Sequence, residues 1–445
     1  MPCLVVWNWY HYVFWPAVMP PDSIDQWYQA LTGSFHDAHP AFHTMLMAPF
    51  ARLNLSPGIF VSIHIFAMAI IVGRAIAIMD EAGLTRYVTV PLVVFLAAVP
   101  ANGASVVVLL KDATYCVAFV LLMVELLKAV ISDGASLAGL RSLGLLAVSA
   151  ILVALVRHNG PPVAFGTLLA LPFVYRRHWK QLFGCLAVAV GAWWGVRGPL
   201  FSAIGVIPAA STLSLLPLLH QIDAHVYHGT PLTAPEQELV QRIHPLENGK
   251  WPYSAYSLDP LSFSPKLNGQ SLHEEDDAIR ALCVSLIARN PQTSLRHAKA
   301  VASLALSIQR PKDSPYRTVS FQVENRRIYR VDPDQRLKAS DRDWSLKEIN
   351  RIPPPLMYEA MDDSVSWLLW RPALPMYLLI GATIFAAIRW RRSDPLVLAV
   401  PIAIQTAVMA LICPSQEFRY QWPVFLCGWL MTPFLLLWKP AGQRK

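Results

Sequence analysis

Recurring runs of about twenty apolar residues are the feature that most limits what this chain can fold into. A helix needs roughly 20 predominantly apolar residues to cross a hydrocarbon core about 30 Å thick. Only helices and closed barrels can satisfy their own backbone hydrogen bonds there. By that ruler the spans are residues 1–19, 57–79, 87–109, 113–131, 141–157, 161–175, 181–200, 366–389, 395–413 and 419–438, the first and the sixth being short. Residues 40–53 are apolar but too few to cross and begin at Pro40, so they read as an interfacial helix. Met1 to Met19 lacks a basic n-region and a small-residue cleavage site. It reads as a first membrane segment trimmed at its start, not as a secretory signal.

Composition agrees with lipid as the solvent. Of 445 residues 54% are hydrophobic and 15% charged, against roughly 25% charged in a soluble domain. The net charge of +8 comes from short basic clusters between apolar runs, not from one basic face, so nucleic acid is not expected as a partner. The six cysteines are scattered without metal-like spacing and give neither a disulfide framework nor a zinc site.

Lysine and arginine near span ends are retained in the cytoplasm. Alternation of the spans puts Arg74, Arg86, Lys128, Arg141, Arg176, Arg177, Lys180, Arg389, Arg391, Arg392, Lys439, Arg444 and Lys445 on one side. That side is therefore expected to be cytoplasmic, with 20–56 and 201–365 external. The expected organisation is an N-terminal transmembrane bundle over 1–220 with a first external loop at 20–56, an external insertion over 221–365, and C-terminal transmembrane helices over 366–445. Within the insertion, Ala278–Ala288 and Ser294–Ile308 carry apolar residues at helical spacing (Ile279, Leu282, Cys283, Leu286; Ala298, Val301, Ala302, Ala305). Arg326 to Pro355 reads as irregular loop. The fold class is all-α: a polytopic bundle of about 9–11 spans with a small, mostly helical insertion.

The chemistry gathers at the external edges. The first loop carries Asp22, Asp25, Asp37, His36, His39 and His43. If 22–29 is helical, Asp22 and Asp25 share a face, and a carboxylate beside apolar surface can serve as a general base. Helix capping is the competing role for Asp22. His36, Asp37, His39 and His43 offer N and O ligands for a divalent metal, but hydrogen bonding to the helix end beside Pro40 accounts for His39 as well; no metal ligand is assigned. Other edges hold Lys111-Asp112, Arg157-His158-Asn159 and Glu417-Phe418-Arg419-Tyr420. An internal ion pair competes with a functional role for Lys111 and Asp112, and snorkelling competes for the arginines. Arg157 and Arg419 suit a phosphate, because guanidinium is a bidentate fork. Carboxylates on one wall and cations on the other fit a substrate with a phosphate leaving group.

These stretches, Asp22-Ser-Ile-Asp-Gln-Trp, Asp37-Ala-His-Pro-Ala-Phe-His-Thr, Lys111-Asp112, Arg157-His-Asn-Gly and Glu417-Phe-Arg-Tyr, resemble a bacterial branch of the GT-C superfamily of membrane glycosyltransferases. The resemblance spans nearly the whole chain. It implies a sugar donor on polyprenyl phosphate, and a catalytic acid residue of the first external loop that maps onto Asp25 or Asp22, then Asp37, with His39 beside them. Lys111, Asp112, Arg157, His158, Asn159, Glu417, Arg419 and Tyr420 are the expected substrate and phosphate contacts. The cofactor stays open, a divalent cation included, as do the sugar and the acceptor, whether glycan, lipid or protein. The expected location is the bacterial cytoplasmic membrane, with the site facing the periplasm or exterior. Two rivals stand beside this reading. A transporter or flippase would place ionisable groups at the midplane of related halves, and a lipid-linked glycan polymerase or ligase would work without an acidic base.

Overall fold

The computed structural model describes residues 2–314, 327–332, 335–343 and 363–440. Arg444 and Lys445, and most of the expected loop around 326–355, lie outside them. Among the described residues the regular structure is helical, apart from an antiparallel ribbon of Arg327–Asp332 with Gln335–Asp343. That ribbon corrects the expectation of irregular loop where it falls: two stretches that lack an apolar face of their own pair through backbone hydrogen bonds.

Two compact units are present. The first comprises Met1–Ile207, Thr318–Thr406 and Phe418–Lys445; the second comprises Pro208–Arg317 and Ala407–Glu417. The expected boundary at 220/221 falls inside the helix Leu216–Tyr227, which buries Leu219 and Ile222 in the second unit's core and so cannot be divided.

The first unit begins with α1 (Pro2–Val13), α2 (Pro21–Thr32), α3 (Ala41–Arg52), α4 (Pro57–Glu81), α5 (Arg86–Ala98), α6 (Pro100–Val106), α7 (Lys111–Ile131), α8 (Leu140–Val156), α9 (Gly160–Val174) and α10 (Trp179–Gly195). It is a helical membrane bundle. Among the described residues five helices are long and apolar enough to cross: α4, α7, Ser364–Trp390, Asp394–Ile412 and Phe418–Leu437. Counted as one span, the bent pair α5 and α6 makes a sixth, fewer than the 9–11 expected, because several of the expected apolar runs form helices shorter than a span needs. The bend of 57° follows from Pro100, which has no N–H to donate and forces Val99 into an extended conformation. α8 and α9 are shorter apolar helices, and α1, with 12 residues, is too short to cross as expected of 1–19. On α4 the exposed Ile59, Ile63, Phe66 and Ile70 recur every three to four residues, an outward apolar stripe suited to lipid.

α7 runs through the middle of this bundle with most of its residues buried and carries a charge cluster at each end. At its C-terminal end Glu125 accepts from Arg74 of α4 at 3.1 Å and from Lys128 at 2.9 Å, and Lys128 also donates to Ser142 of α8. Nearby, Arg392 bonds Asp133, Asp394 and the carbonyl of Val130. The other end, roughly 25 Å away at ~1.5 Å per residue, holds Lys111 and Asp112.

The second unit packs Leu216–Tyr227, Ala234–Ile243, Asp276–Arg289 and Pro291–Leu306 around Leu219, Val240, Trp251, Ile279 and Leu286. Asp276–Arg289 buries the expected Ile279, Leu282, Cys283 and Leu286. Pro291–Leu306 buries His297, Val301, Leu304 and Ala305, so its stripe is turned from the expected one and leaves Ala298 exposed.

Candidate functional site

α2 starts at Pro21, whose missing N–H costs nothing in a first turn, and stops at Gly33 in the left-handed region (φ 77°), where its N–H returns to the carbonyl of Gln29. A strap fixes it against α7: Val18 donates its N–H to the Val107 carbonyl and accepts from the Leu109 N–H, and Ser23 Oγ donates to the Leu109 carbonyl. One turn of α2 thus faces the first turn of α7.

Asp22 does not cap its helix. Its Oδ2 accepts from Lys111 Nζ at 3.1 Å and faces Arg419 Nη1 at 3.5 Å, while Oδ1 lies 3.7 Å from His39 Nε2. His39 Nδ1 is 3.3 Å from Lys111 Nζ, so the ring accepts from the ammonium there and donates from Nε2 toward Asp22. Burial alone would raise the Asp22 carboxyl, but Lys111, Arg419 and His39 together outweigh it and hold the group below the usual carboxylate range. Burial, then Lys111, push His39 down to about 4, which leaves it neutral at neutral pH.

Lys111 and Asp112 do not pair with each other. Asp112, 3% exposed, meets Arg157 Nη1 at 3.0 Å and Arg419 Nη1 at 3.8 Å. Arg157 ends α8 and is buried between the rings of Tyr115 and Tyr420, each centroid 5.3 Å from its Cζ. Gln405 ties those tyrosines together: its Oε1 accepts from Tyr115 at 2.8 Å and its Nε2 donates to the Tyr420 carbonyl at 2.9 Å. Arg419 therefore bridges two carboxylates, and Arg157 is clamped behind it.

The remaining loop residues form two side branches. Asp25 lies 3.3 Å from His36 and accepts from Gln29 at 2.7 Å. Asp37 accepts from the backbone N–H of Ala41, taking the helix-end role that Pro40 suggested for His39, and also pairs with Arg197 at 2.5 Å. Arg197 stands in a π turn, Val196–Leu200, and also reaches His158, whose other ring nitrogen bonds the Asp37 carbonyl. Pro199 removes a helical donor there, and the chain returns to pair Ile207 with Phe35 and Asp37, which seats Arg197 on Asp37.

The four candidate metal ligands are thus dispersed onto different partners. His36 joins Asp25, Asp37 joins Arg197 and His39 joins Lys111, while His43 is fully buried with neither ring nitrogen hydrogen-bonded. Among the described residues no group of three or more His, Cys, Asp or Glu is gathered for a metal ion. Asn159 precedes α9 beside this cluster, with its Nδ2 buried and without a hydrogen-bond partner. Glu417 belongs to the second unit, where it accepts from Ser415 Oγ at 3.2 Å.

Three residues of the cluster were missed in the sequence. Tyr115 lies four residues after Lys111, on the same helical face. Gln405 is a lone amide within an apolar run, a cue in itself. Arg197 carries no local signal, because its partner Asp37 is 160 residues away. No family model matches the chain, and neither a curated protein nor a solved structure does.

Proposed function

We propose that this protein is a GT-C type membrane glycosyltransferase. It moves a sugar from a polyprenyl-phosphate-linked donor to an acceptor on the non-cytoplasmic face of the bacterial cytoplasmic membrane. The observation that carries the reading is the sharing of Asp22 by Lys111, Arg419 and His39 at one end of a helical bundle. The opposite end of α7 holds Arg74, Lys128 and Arg392, which supports assigning that end to the cytoplasm.

Lys111 and Arg419 offer a donor phosphate the positive charge that its departure requires. Arg157, buried against Asp112 and two rings, acts as the support that keeps Arg419 and α7 in place. Asp22 takes the proton of the acceptor hydroxyl, and the acceptor oxygen bonds to the anomeric carbon. The bond from that carbon to the phosphate oxygen breaks, and its electron pair stays on the phosphate beside Lys111 and Arg419. A donor phosphate shares the cations that depress Asp22 and so returns its basicity when the donor is bound. Asp25, one turn along α2, is the second candidate base.

In proteoliposomes with a polyprenyl-phosphate sugar, Asp22→Asn is expected to lower turnover about 10²- to 10⁴-fold, and Lys111→Ala to raise KM for the donor. The acid limb of kcat should lie at higher pH than that of kcat/KM, since kcat reports the donor-bound state. Full transfer by Asp22→Asn and Asp25→Asn, singly and together, would replace this reading with a ligase that uses arginine and histidine.

A further inference from the structure

The second unit holds a cleft of about 470 Å³ lined by Ser254, Ser257, Asp259, Pro260, Phe263, Ser415 and Gln416. Its size falls within the roughly 300–1,000 Å³ of small-molecule sites. We propose that this cleft binds a neutral carbohydrate, with the Phe263 ring as platform for a sugar face and Asp259 and the serines as partners of its hydroxyls.

The walls are held before any ligand arrives. Leu258 donates its N–H to the Pro414 carbonyl at 2.8 Å, and Ser257 bridges Ser415, so the two segments are tied across the base. Gln416 turns inward, accepting from Ser303 Oγ at 3.0 Å and donating to the Val301 carbonyl at 3.3 Å, which anchors its segment to the helix Pro291–Leu306. A preformed site loses little freedom on binding.

The lining chemistry selects the occupant. Phe263 is 81% exposed, and with Pro260 it makes the apolar part of the cleft lining. Ser254 Oγ accepts from the N–H of Tyr256 and Ser257 Oγ accepts from the N–H of Asp259, so each hydroxyl keeps its proton to donate. Among the described residues the lining has one carboxylate and no lysine, arginine or histidine, which disfavours phosphates and other anions. A sugar ring combines an apolar C–H face with a rim of hydroxyls that both donate and accept. It matches a bare ring beside a carboxylate acceptor and serine donors. Binding of the carbohydrate does not depend on the transferase reading.

The test is saturation-transfer NMR on the full chain in phosphatidylglycerol nanodiscs, which carry no sugar-headed detergent. The probes are maltotriose, N,N′-diacetylchitobiose and mannobiose, with tetramethylammonium and inorganic phosphate as counter-probes. At least one saccharide is expected to bind, Phe263→Ala to lose more than tenfold in affinity, Phe263→Trp to retain it, and Asp259→Asn to weaken it several-fold. An unchanged unfolding midpoint in Phe263→Ala ties the loss to the ring and not to the fold. The proposal is overturned if no saccharide binds, if binding survives Phe263→Ala, or if tetramethylammonium displaces the sugar. Repeating the titration on Asp22→Asn separates the two readings, because saccharide binding should persist there whatever becomes of transfer.

Discussion

Asp22 and Asp112 are both carboxylates held by cations, yet their surroundings assign them different work. Asp22 is open enough to exchange its partners for a ligand, whereas Asp112 is closed in by Arg157, Arg419 and the tyrosines. Removing Arg157 should therefore show mainly in stability. Arg157→Met leaves Asp112 buried without its nearest cation and is expected to cost about 3–5 kcal/mol. The double variant Arg157→Met/Asp112→Leu should recover most of that loss, since the pair is then replaced by apolar packing. Urea unfolding of the four proteins of the cycle measures this. A loss in the double variant equal to the sum of the losses in Arg157→Met and Asp112→Leu would mean that the pair is not coupled. From the sequence, Arg157 and Arg419 looked alike as phosphate ligands. Burial distinguishes them, because a guanidinium enclosed by two rings and a carboxylate has little left to offer a substrate.

At the scale of elements, close approach and capping decide stability. Gly428 faces the backbone of Pro375, and a Cβ there would come within 2.6 Å of the Pro375 carbonyl oxygen, so Phe418–Leu437 and Ser364–Trp390 pack nearly backbone to backbone. Gly428→Ala should cost about 1–3 kcal/mol through overpacking. Gly381→Ala, where the added carbon meets nothing within 4 Å, should not. Thermal unfolding of both in the same nanodiscs compares them. In the second unit Glu236 closes a capping box on Thr233 and takes a bidentate hydrogen bond from Arg289. Arg289 is the main cause that lowers this carboxyl from 4.5 to about 2. A depressed carboxylate contributes stability that is fully present above its unfolded pKa and is lost as pH falls through its folded one. The contribution of Glu236 should thus disappear between pH 4.5 and about 2, and Glu236→Gln should flatten that part of the stability–pH curve. An unaltered curve in the variant would show that the cap does not report on this unit's stability. Helices such as Asp276–Arg289 were legible because a 3.6-residue repeat is local. The break between α5 and α6 was not read, since the apolar run 87–109 continues through Pro100.

For the whole molecule the decisive question is sidedness. A cysteine placed at Arg391 should resist an impermeant maleimide on intact cells, and one placed at Lys266 should react. The six native cysteines are buried and so should stay silent. Labelling at Arg391 would reverse the assignment of the site to the non-cytoplasmic face. The sequence by itself determined that the chain is a helical membrane protein with a polar insertion, because apolar run length, basic clusters and helical period are properties of neighbouring residues. It also marked most of the ionisable groups that gather at one end of the bundle. Only the tertiary structure decided which of them meet. Asp22 and Arg419 stand 397 positions apart. Their pairing, the choice of Arg157 for Asp112, and the seating of Arg197 on Asp37 depend on how helices and straps pack. Packing also decides which carboxylate stays within reach of a ligand and which is sealed away, because the cost of a buried charge is set by the groups that enclose it and not by its sequence neighbours.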